Sequence, residues 1–194
     1  MLSVVIATEN AERALPPTLI ALVGGATAGL VSEVIVADAG STDATAMVAE
    51  AAGCRIVVTR APLSDRLREA AAQARAPWLL FLRPGVVLDS TWIEETRRFI
   101  EMAELSGRTN ARAAFFRTPE PVDTLGAIIV RQLTRIAAAL RLRPRPQQPL
   151  LIAKELYAEL GGHRGDAESP DANLLRRLGR RRVLLRSQTM LAGE

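Results

Sequence analysis

The sequence has little cysteine, histidine or aromatic residue, and each shortage narrows the range of functions. One cysteine among 194 residues excludes an internal disulfide and fits a reducing compartment. The one histidine, His163, has no second histidine or cysteine placed beside it, which disfavours a metal site there. Aromatic residues make up 4% of the chain, so no stacking platform for single-stranded nucleic acid is visible. We therefore expect no nucleic-acid partner.

Long apolar runs are missing as well. No apolar stretch approaches the roughly 18 residues that a membrane span needs. The apolar start of the chain lacks the basic residues that precede the apolar run of a signal peptide, so we interpret it as a first strand. The hydrophobic content of 48% is typical of a soluble globular protein. The length of 194 residues is typical of one domain. The net charge of +4 comes from arginine, which together with abundant alanine is typical of a GC-rich, bacterial-like genome. We expect a cytoplasmic protein, with peripheral contact to an anionic membrane as an alternative.

The first hundred residues alternate between short apolar runs and longer amphipathic stretches, and this alternation predicts a parallel sheet with right-handed crossovers. The fold class is therefore α/β, a Rossmann-like and mostly parallel sheet with helices on both faces. The second half is less regular. The expected strands are 2–7, 34–37, 55–59, 78–82, 111–116, 150–153 and 182–185. The expected helices are 13–23, one from about 43, then 64–75, 91–103, 123–142, 155–160 and 169–179.

Asp38 lies where a buried strand ends and a helix is about to begin. In open α/β sheets this is where ligands bind. A carboxylate there repels a phosphate, but it accepts hydrogen bonds from a nucleobase N–H or a ribose hydroxyl. The alternative is a turn residue whose side chain binds the backbone N–H groups that follow it.

Three segments of the chain follow the pattern of one known family. The segment 3–10 is similar to the opening strand of that family. The segment Asp-Ala-Gly-Ser-Thr-Asp-Ala-Thr, 38–45, matches its turn Asp-x-Gly-Ser-x-Asp-x-Thr. Gly161-Gly162 and the segment 171–178 are similar to its acceptor-side pattern Gly-Gly-Phe followed by Glu-Asp…Leu…Arg-Leu. On these segments the chain resembles glycosyltransferase family 2, whose members have the GT-A fold. The resemblance covers nearly the whole chain and implies one GT-A-like domain over 1–194.

This resemblance implies a nucleotide-binding half, 1–105, and an acceptor-side half, 106–194. It also implies an inverting transfer of a sugar from a nucleotide-sugar donor to a hydroxyl acceptor. In such a transfer a carboxylate takes the proton of the acceptor hydroxyl. The residues implicated are Thr8 and Asn10 in the base pocket, Asp38 on the base, and Asp171 as the general base.

The chain departs from the family directly after the fourth strand. The family places Asp-x-Asp there, which holds a divalent cation on the diphosphate. Here the residues are Arg83-Pro84-Gly85, and no carboxylate follows until Asp89. Arg83 offers an alternative, because a guanidinium can offset phosphate charge through paired hydrogen bonds. We expect no metal ligands, with Mg²⁺ or Mn²⁺ as the alternative. Further departures are Glu9, Arg68 and Pro170.

The missing Asp-x-Asp leaves three functions open. The first is an active glycosyltransferase, which we favour, and the second is an inactive glycosyltransferase-like module that binds nucleotide or serves as a partner subunit. The third is a membrane-peripheral protein, based on the helix 123–142 and on Arg180-Arg181-Arg182. Two site residues also have purely structural alternatives. Asp171 would stabilise the first turn of a helix, and Arg83 would be a solvated arginine.

Overall fold

The computed structural model describes residues 1–107, 109–117, 148–165 and 170–192, and the expected helix 123–142 lies outside them. The strands are β1 (Leu2–Thr8), β2 (Val31–Asp38), β3 (Arg55–Val58), β4 (Trp78–Leu82), β5 (Val86–Leu88), β6 (Ala113–Arg117), β7 (Leu150–Ala153) and β8 (Arg182–Leu191). The described helices are α1 (Leu15–Thr27), α2 (Thr45–Ala51), α3 (Leu63–Gln73), α4 (Trp92–Leu105), α5 (Lys154–Glu159) and α6 (Pro170–Leu178).

All eight strands belong to one sheet, in the order β3-β2-β1-β4-β7-β6-β8-β5. The first four of these strands are mutually parallel. β7 runs antiparallel to both β4 and β6, whereas β8 runs parallel to β6 and pairs antiparallel with β5 at its far end. The predicted α/β class, a mostly parallel sheet flanked by helices, is confirmed.

The parallel half of the sheet forms the centre of the core. Every residue of β1 and of β4 is buried, as expected for strands that are covered on both faces. Because these strands are parallel, their carboxyl ends meet at one edge of the sheet. Thr8 lies level with Asp38 across the β1–β2 pair, and Arg83 follows β4, whose last residue, Leu82, pairs with Ile6. Thr8, Asp38 and Arg83, three of the predicted site residues, therefore lie at this edge of the sheet.

Two details of the predicted secondary structure are wrong. β5 was not expected, because three residues are too few for a hydrophobic pattern. Gly24 and Gly25 were expected to end α1, but they lie inside it, and the helix ends before Gly29, whose φ is 70°. Gly25 is needed for close packing, since a Cβ atom there would lie 2.4 Å from the Trp92 ring of α4. No described helix is long and apolar enough to cross a membrane.

Replacing Gly25 with alanine is expected to destabilise the protein by about 1–3 kcal/mol, because the added methyl group overlaps the Trp92 ring. Gly24→Ala is the matched control. Its methyl group meets only the flexible Ile93 side chain, at 3.3 Å, and alanine favours a helix over glycine by about 1 kcal/mol. Urea unfolding measures both changes. Equal free energies of unfolding for the two variants would contradict this packing account.

Candidate functional site

Asp38 is the centre of a hydrogen-bonded turn at the end of β2. Its Oδ1 accepts hydrogen bonds from the hydroxyls of Thr8, at 2.7 Å, and Ser41, at 2.6 Å. Its Oδ2 accepts from the backbone N–H groups of Gly40, at 2.9 Å, and Ser41, at 2.6 Å. Four donors therefore occupy the four lone-pair directions of the carboxylate. The arrangement has the geometry of the turn-organising alternative, and it leaves base binding by Asp38 a prediction.

Asn10 joins the loop after β1 to the same turn. Its side-chain oxygen accepts a hydrogen bond from the Thr42 backbone N–H at 2.9 Å, and its own backbone N–H donates to the Ser41 hydroxyl at 2.9 Å. Asn10 has a φ of 47°, a left-handed conformation that asparagine tolerates better than most residues. The structure thus brings together Thr8, Asn10 and Asp38, the three residues predicted to surround a base.

The Asp38 side chain is 2% exposed, yet it stays ionised. Burial by itself raises the pKa of a carboxyl group. The hydrogen bonds from Ser41, Thr8 and Gly40 outweigh burial and hold the pKa of Asp38 below its ordinary value. The turn therefore carries a negative charge at neutral pH, surrounded by N–H and O–H donors.

Arg66 also contributes to this edge, and the sequence analysis missed it. Its guanidinium donates hydrogen bonds to the carbonyl oxygens of Thr8, at 2.8 Å, and Ala37, at 3.2 Å. It is buried, and its Nε has no hydrogen-bond partner among the described residues. Arg66 thus ties α3 to the ends of β1 and β2. In the sequence, Arg66 falls on the same helical face as Leu63 and Ala70, the apolar face of α3. This spacing was the signal that could have identified Arg66 as a buried residue.

A second group of polar residues lies at the carboxyl end of β4. Arg83 Nη2 donates a hydrogen bond to Asp171 Oδ2 at 2.6 Å, which makes an ion pair between the β4–β5 turn and the first turn of α6. The Arg83 side chain is 31% exposed and that of Asp171 is 19% exposed. The turn itself is held by a hydrogen bond from the Gly85 N–H to the Ala14 carbonyl at 2.7 Å. The two residues predicted to act on diphosphate and acceptor therefore contact each other.

His163 and Tyr157 extend this ion pair into the core, and neither was predicted as a site residue. His163 Nε2 lies 3.1 Å from Asp171 Oδ1, and His163 Nδ1 lies 2.7 Å from the Tyr157 hydroxyl. His163 is fully buried and Tyr157 nearly so. The available signal was the position of His163 directly after Gly161-Gly162, where the resembling pattern has Phe.

Asp171 is an ionised carboxylate because of these neighbours. Burial raises the pKa of its carboxyl group, whereas the hydrogen bond from His163 and the charge of Arg83 lower it, and the net pKa lies below the ordinary value. An ionised carboxylate with partial exposure can accept a proton from a bound hydroxyl group.

The residues at the end of β4 do not fit a divalent cation. Arg83 places a positive charge there and binds Asp171 itself. Asp89, the next carboxylate along the chain, accepts hydrogen bonds from the Ser187 hydroxyl at 2.7 Å and the Gln188 N–H at 2.6 Å, so it fastens β8. Among the described residues, no three Asp, Glu, His or Cys side chains are grouped so that they could hold a metal ion.

A family model matches the first part of the chain. Residues 3–117, more than half of the chain, match the family model described as glycosyl transferase family 2. No curated protein matches the chain.

Solved structures share the fold. Glucosyl-3-phosphoglycerate synthase from Mycobacterium tuberculosis, in complex with Mn²⁺, uridine diphosphate and glucosyl-3-phosphoglycerate, is 19% identical, with a TM-score of 0.62; the match covers 100% of this chain and 72% of the synthase. TarS 1–349 from S. aureus is 14% identical, with a TM-score of 0.67; the match covers 100% of this chain and 58% of that TarS fragment.

Asp38→Asn is expected to destabilise the protein by about 1–3 kcal/mol at pH 7, because the amide oxygen can keep the two backbone N–H donors at Oδ2 while the amide NH₂ group replaces the acceptor of the Thr8 and Ser41 hydroxyls. The lowered pKa of Asp38 means that its ionised form stabilises the fold above the unfolded pKa of about 3.9, and this contribution is lost as the pH falls through the folded pKa. The difference between wild type and variant should therefore shrink in acid. Thermal unfolding from pH 7 to pH 2 measures it.

Asp65→Asn is the control, since the Asp65 side chain is 43% exposed and, within the part of the chain that the structure describes, forms its ion pair with Arg68 at the surface. It should change stability little at any pH. A loss of stability in Asp38→Asn no greater than in Asp65→Asn would contradict the turn-organising role.

Proposed function

Since this chain belongs to glycosyltransferase family 2, we propose that it transfers a sugar from a nucleotide-sugar donor to a hydroxyl acceptor, with inversion at the anomeric carbon and without a metal ion. The observation that carries the proposal is the Arg83–Asp171 ion pair at 2.6 Å. It joins a cation suited to a diphosphate and a carboxylate suited to a hydroxyl group.

The nucleoside would lie over the cluster of Thr8, Asn10 and Asp38. Structures of the mycobacterial synthase contain uridine diphosphate or UDP-glucose together with Mn²⁺ or Mg²⁺, and we propose a nucleotide-sugar as the donor here as well. Base recognition by Asp38 requires one lone pair to become free. Rotation of the half-buried Ser41 hydroxyl away from Oδ1 would supply it, while Oδ2 keeps both backbone hydrogen bonds.

Arg83 would bind the diphosphate. The ion pair with Asp171 uses one N–H of Nη2, and a guanidinium has five N–H donors in a planar fork. The remaining donors can pair with phosphate oxygens, as arginine does in bidentate contacts. The positive charge would offset the negative charge that develops on the departing nucleoside diphosphate. This is the task that a divalent cation performs in family members that have Asp-x-Asp.

Asp171 would act as the general base. As the acceptor oxygen attacks the anomeric carbon, its hydroxyl proton moves to the carboxylate, the new C–O bond forms, and the bond to the nucleoside diphosphate breaks on the opposite face. The lowered pKa of Asp171 keeps the carboxylate ionised at neutral pH. Because Arg83 contacts Asp171, the donor diphosphate bound by Arg83 and the acceptor hydroxyl bound by Asp171 would lie next to each other.

A second candidate function is a nucleotide-binding module without turnover. It is favoured by the same ion pair, since a carboxylate that neutralises Arg83 lessens the attraction of that residue for phosphate. Peripheral membrane contact stays a prediction, because the helix 123–142 on which it depends lies outside the described residues.

A nucleoside diphosphate is expected to raise the melting temperature equally in EDTA and in Mn²⁺, because Arg83 rather than a metal ion holds the phosphates. At a ligand concentration 100 times Kd the stabilisation is about 2.7 kcal/mol. Arg83→Met should remove most of it, whereas Arg97→Met, on the outer surface of α4, should not. Stabilisation that requires Mn²⁺ would contradict the metal-independent site.

Asp171→Asn is expected to lower kcat by about 10²–10⁴-fold, the usual contribution of a general base, without weakening nucleotide binding, because Arg83 loses the carboxylate that neutralises it. Steady-state assays with radiolabelled UDP-sugars and a mixture of hydroxyl acceptors measure the rate. Asp65→Asn is again the control. Unchanged turnover in Asp171→Asn would remove Asp171 from the mechanism. Nucleotide binding by the wild type without any transfer would favour the second candidate function.

A further inference from the structure

We propose that Tyr157 and His163 form a positioning pair, which fixes one tautomer of the imidazole ring and aims its Nε2–H at the Asp171 carboxylate. The pair itself is a property of the folded protein. Its effect on catalysis depends on the proposed function, and the experiments below separate the two.

The pair is buried behind Asp171. His163 is 0% exposed and Tyr157 is 5% exposed, whereas the Asp171 side chain is 19% exposed. Phe81 of β4 packs against both rings, with centroid distances of 5.0 Å to Tyr157 and 4.9 Å to His163. Water is therefore kept from the two polar side chains. Polar groups in such surroundings almost always have protein partners, so the direction of each hydrogen bond can be deduced.

The first link sets the direction of the Tyr157 hydroxyl. The backbone N–H of His163 donates to the Tyr157 oxygen at 3.1 Å, so this oxygen already acts as an acceptor. Its own hydrogen must then find an acceptor, and His163 Nδ1 lies 2.7 Å away. Burial also raises the pKa of Tyr157 far above its ordinary value, so the phenol keeps that hydrogen. Nδ1 is therefore unprotonated and accepts it.

The second link follows from the first. A neutral imidazole carries one proton, and with Nδ1 unprotonated this proton is on Nε2. The Nε2–H then donates to Asp171 Oδ1 at 3.1 Å. In the other tautomer an Nε2 lone pair would face a carboxylate oxygen. The Tyr157 hydrogen would also lose its acceptor, since the described residues offer it no second one. Both costs select the same tautomer.

The loop before His163 has a conformation that delivers the ring to this place. Gly161 and Gly162 have φ values of 72° and 63°, in the left-handed region that favours glycine. A Cβ atom on Gly162 would lie 3.1 Å from the Tyr157 ring. The Arg177 guanidinium of α6 donates hydrogen bonds to the carbonyl oxygens of Leu160 and Gly162. The loop is thus fastened to the helix that carries Asp171.

The carboxylate of Asp171 is consequently held at both oxygens. His163 binds Oδ1 and Arg83 binds Oδ2, which fixes the carboxylate plane while each oxygen keeps lone-pair capacity for an acceptor hydroxyl. Phe, the residue of the resembling Gly-Gly-Phe pattern, would fill the same space but donate no hydrogen bond. We therefore expect His163 to orient the base, as outer hydrogen-bond partners orient reactive groups elsewhere.

The tautomer can be read directly by NMR, because the chain contains one histidine and one tyrosine. Protein labelled with ¹⁵N-histidine has a single pair of imidazole nitrogens. At neutral pH we expect the Nε2–H tautomer in the wild type. Because Tyr157 and Asp171 select the same tautomer, Asp171→Asn should keep it through Tyr157, whereas the double variant Asp171→Asn, Tyr157→Phe should show a mixture of tautomers. An Nδ1–H or doubly protonated ring in the wild type, or an unchanged tautomer in the double variant, would overturn the proposal.

The effect on Asp171 is tested with His163→Phe and its matched control His163→Gln, whose amide N–H can reach the position of Nε2–H. Titration of aspartate carboxyl carbons by NMR should show a raised pKa of Asp171 in His163→Phe and a smaller rise in His163→Gln. His163→Phe leaves the Tyr157 hydroxyl unpaired and can unfold for that reason. In that case the double variant Tyr157→Phe, His163→Phe, which removes both polar groups, takes the place of His163→Phe in the titration. An unchanged pKa of Asp171 contradicts the proposal.

Where the wild type shows transfer activity, His163→Phe should lower kcat by about 10- to 100-fold through misorientation of the base, with KM changed less than about twofold. His163→Gln should recover part of the rate. A change in KM with kcat unchanged would contradict a positioning role. If the wild type transfers no sugar, the proposed function fails, while the two NMR experiments still decide whether the pair holds Asp171.

Discussion

The hydrogen bonds accepted by Asp38 hold together the edge of the sheet where β1 and β2 end. β1 and β2 are parallel strands, so their carboxyl ends lie side by side, and the chain leaves both at the same level. The Asp38 carboxylate binds the Thr8 hydroxyl from β1 and the backbone of its own turn. Arg66 of α3 donates hydrogen bonds to carbonyl oxygens at the ends of both strands.

The charges at the neighbouring strand end follow a different principle. After β4 the chain has an arginine, and the carboxylate that compensates it comes from α6, distant in sequence. A carboxylate pair would need a cation to neutralise its own repulsion, whereas an arginine and an aspartate neutralise each other. The buried His163 lies between the Asp171 carboxylate and the Tyr157 hydroxyl. Arg83 and Asp171 are both partly exposed, so the pair offers donors and an acceptor to a ligand.

Much of the fold was predictable from local pattern. The parallel strands β1 to β4 are short apolar runs between turn residues, and the family turn at Asp38 identified the edge that they form. Two strands, β5 and β8, were located less well. β5 has three residues, and β8 continues to Leu191, six residues beyond its expected end, since pairing with β5 rather than an apolar run determines its length. The glycines inside α1 misled the prediction, because their role is contact with Trp92 and not chain breaking.

The sequence by itself determined the α/β class, the edge at Asp38 and the arginine that follows β4, because these depend on residue types and spacings within a few positions. Only the tertiary structure decided what those residues bind. The partners of Arg83, Asp171 and His163 lie on different elements and meet only when the sheet is assembled. Hydrogen bonding depends on distances of about 3 Å, which no local pattern encodes. For the same reason a lone histidine after two glycines gave no sign that it would lie beside Asp171.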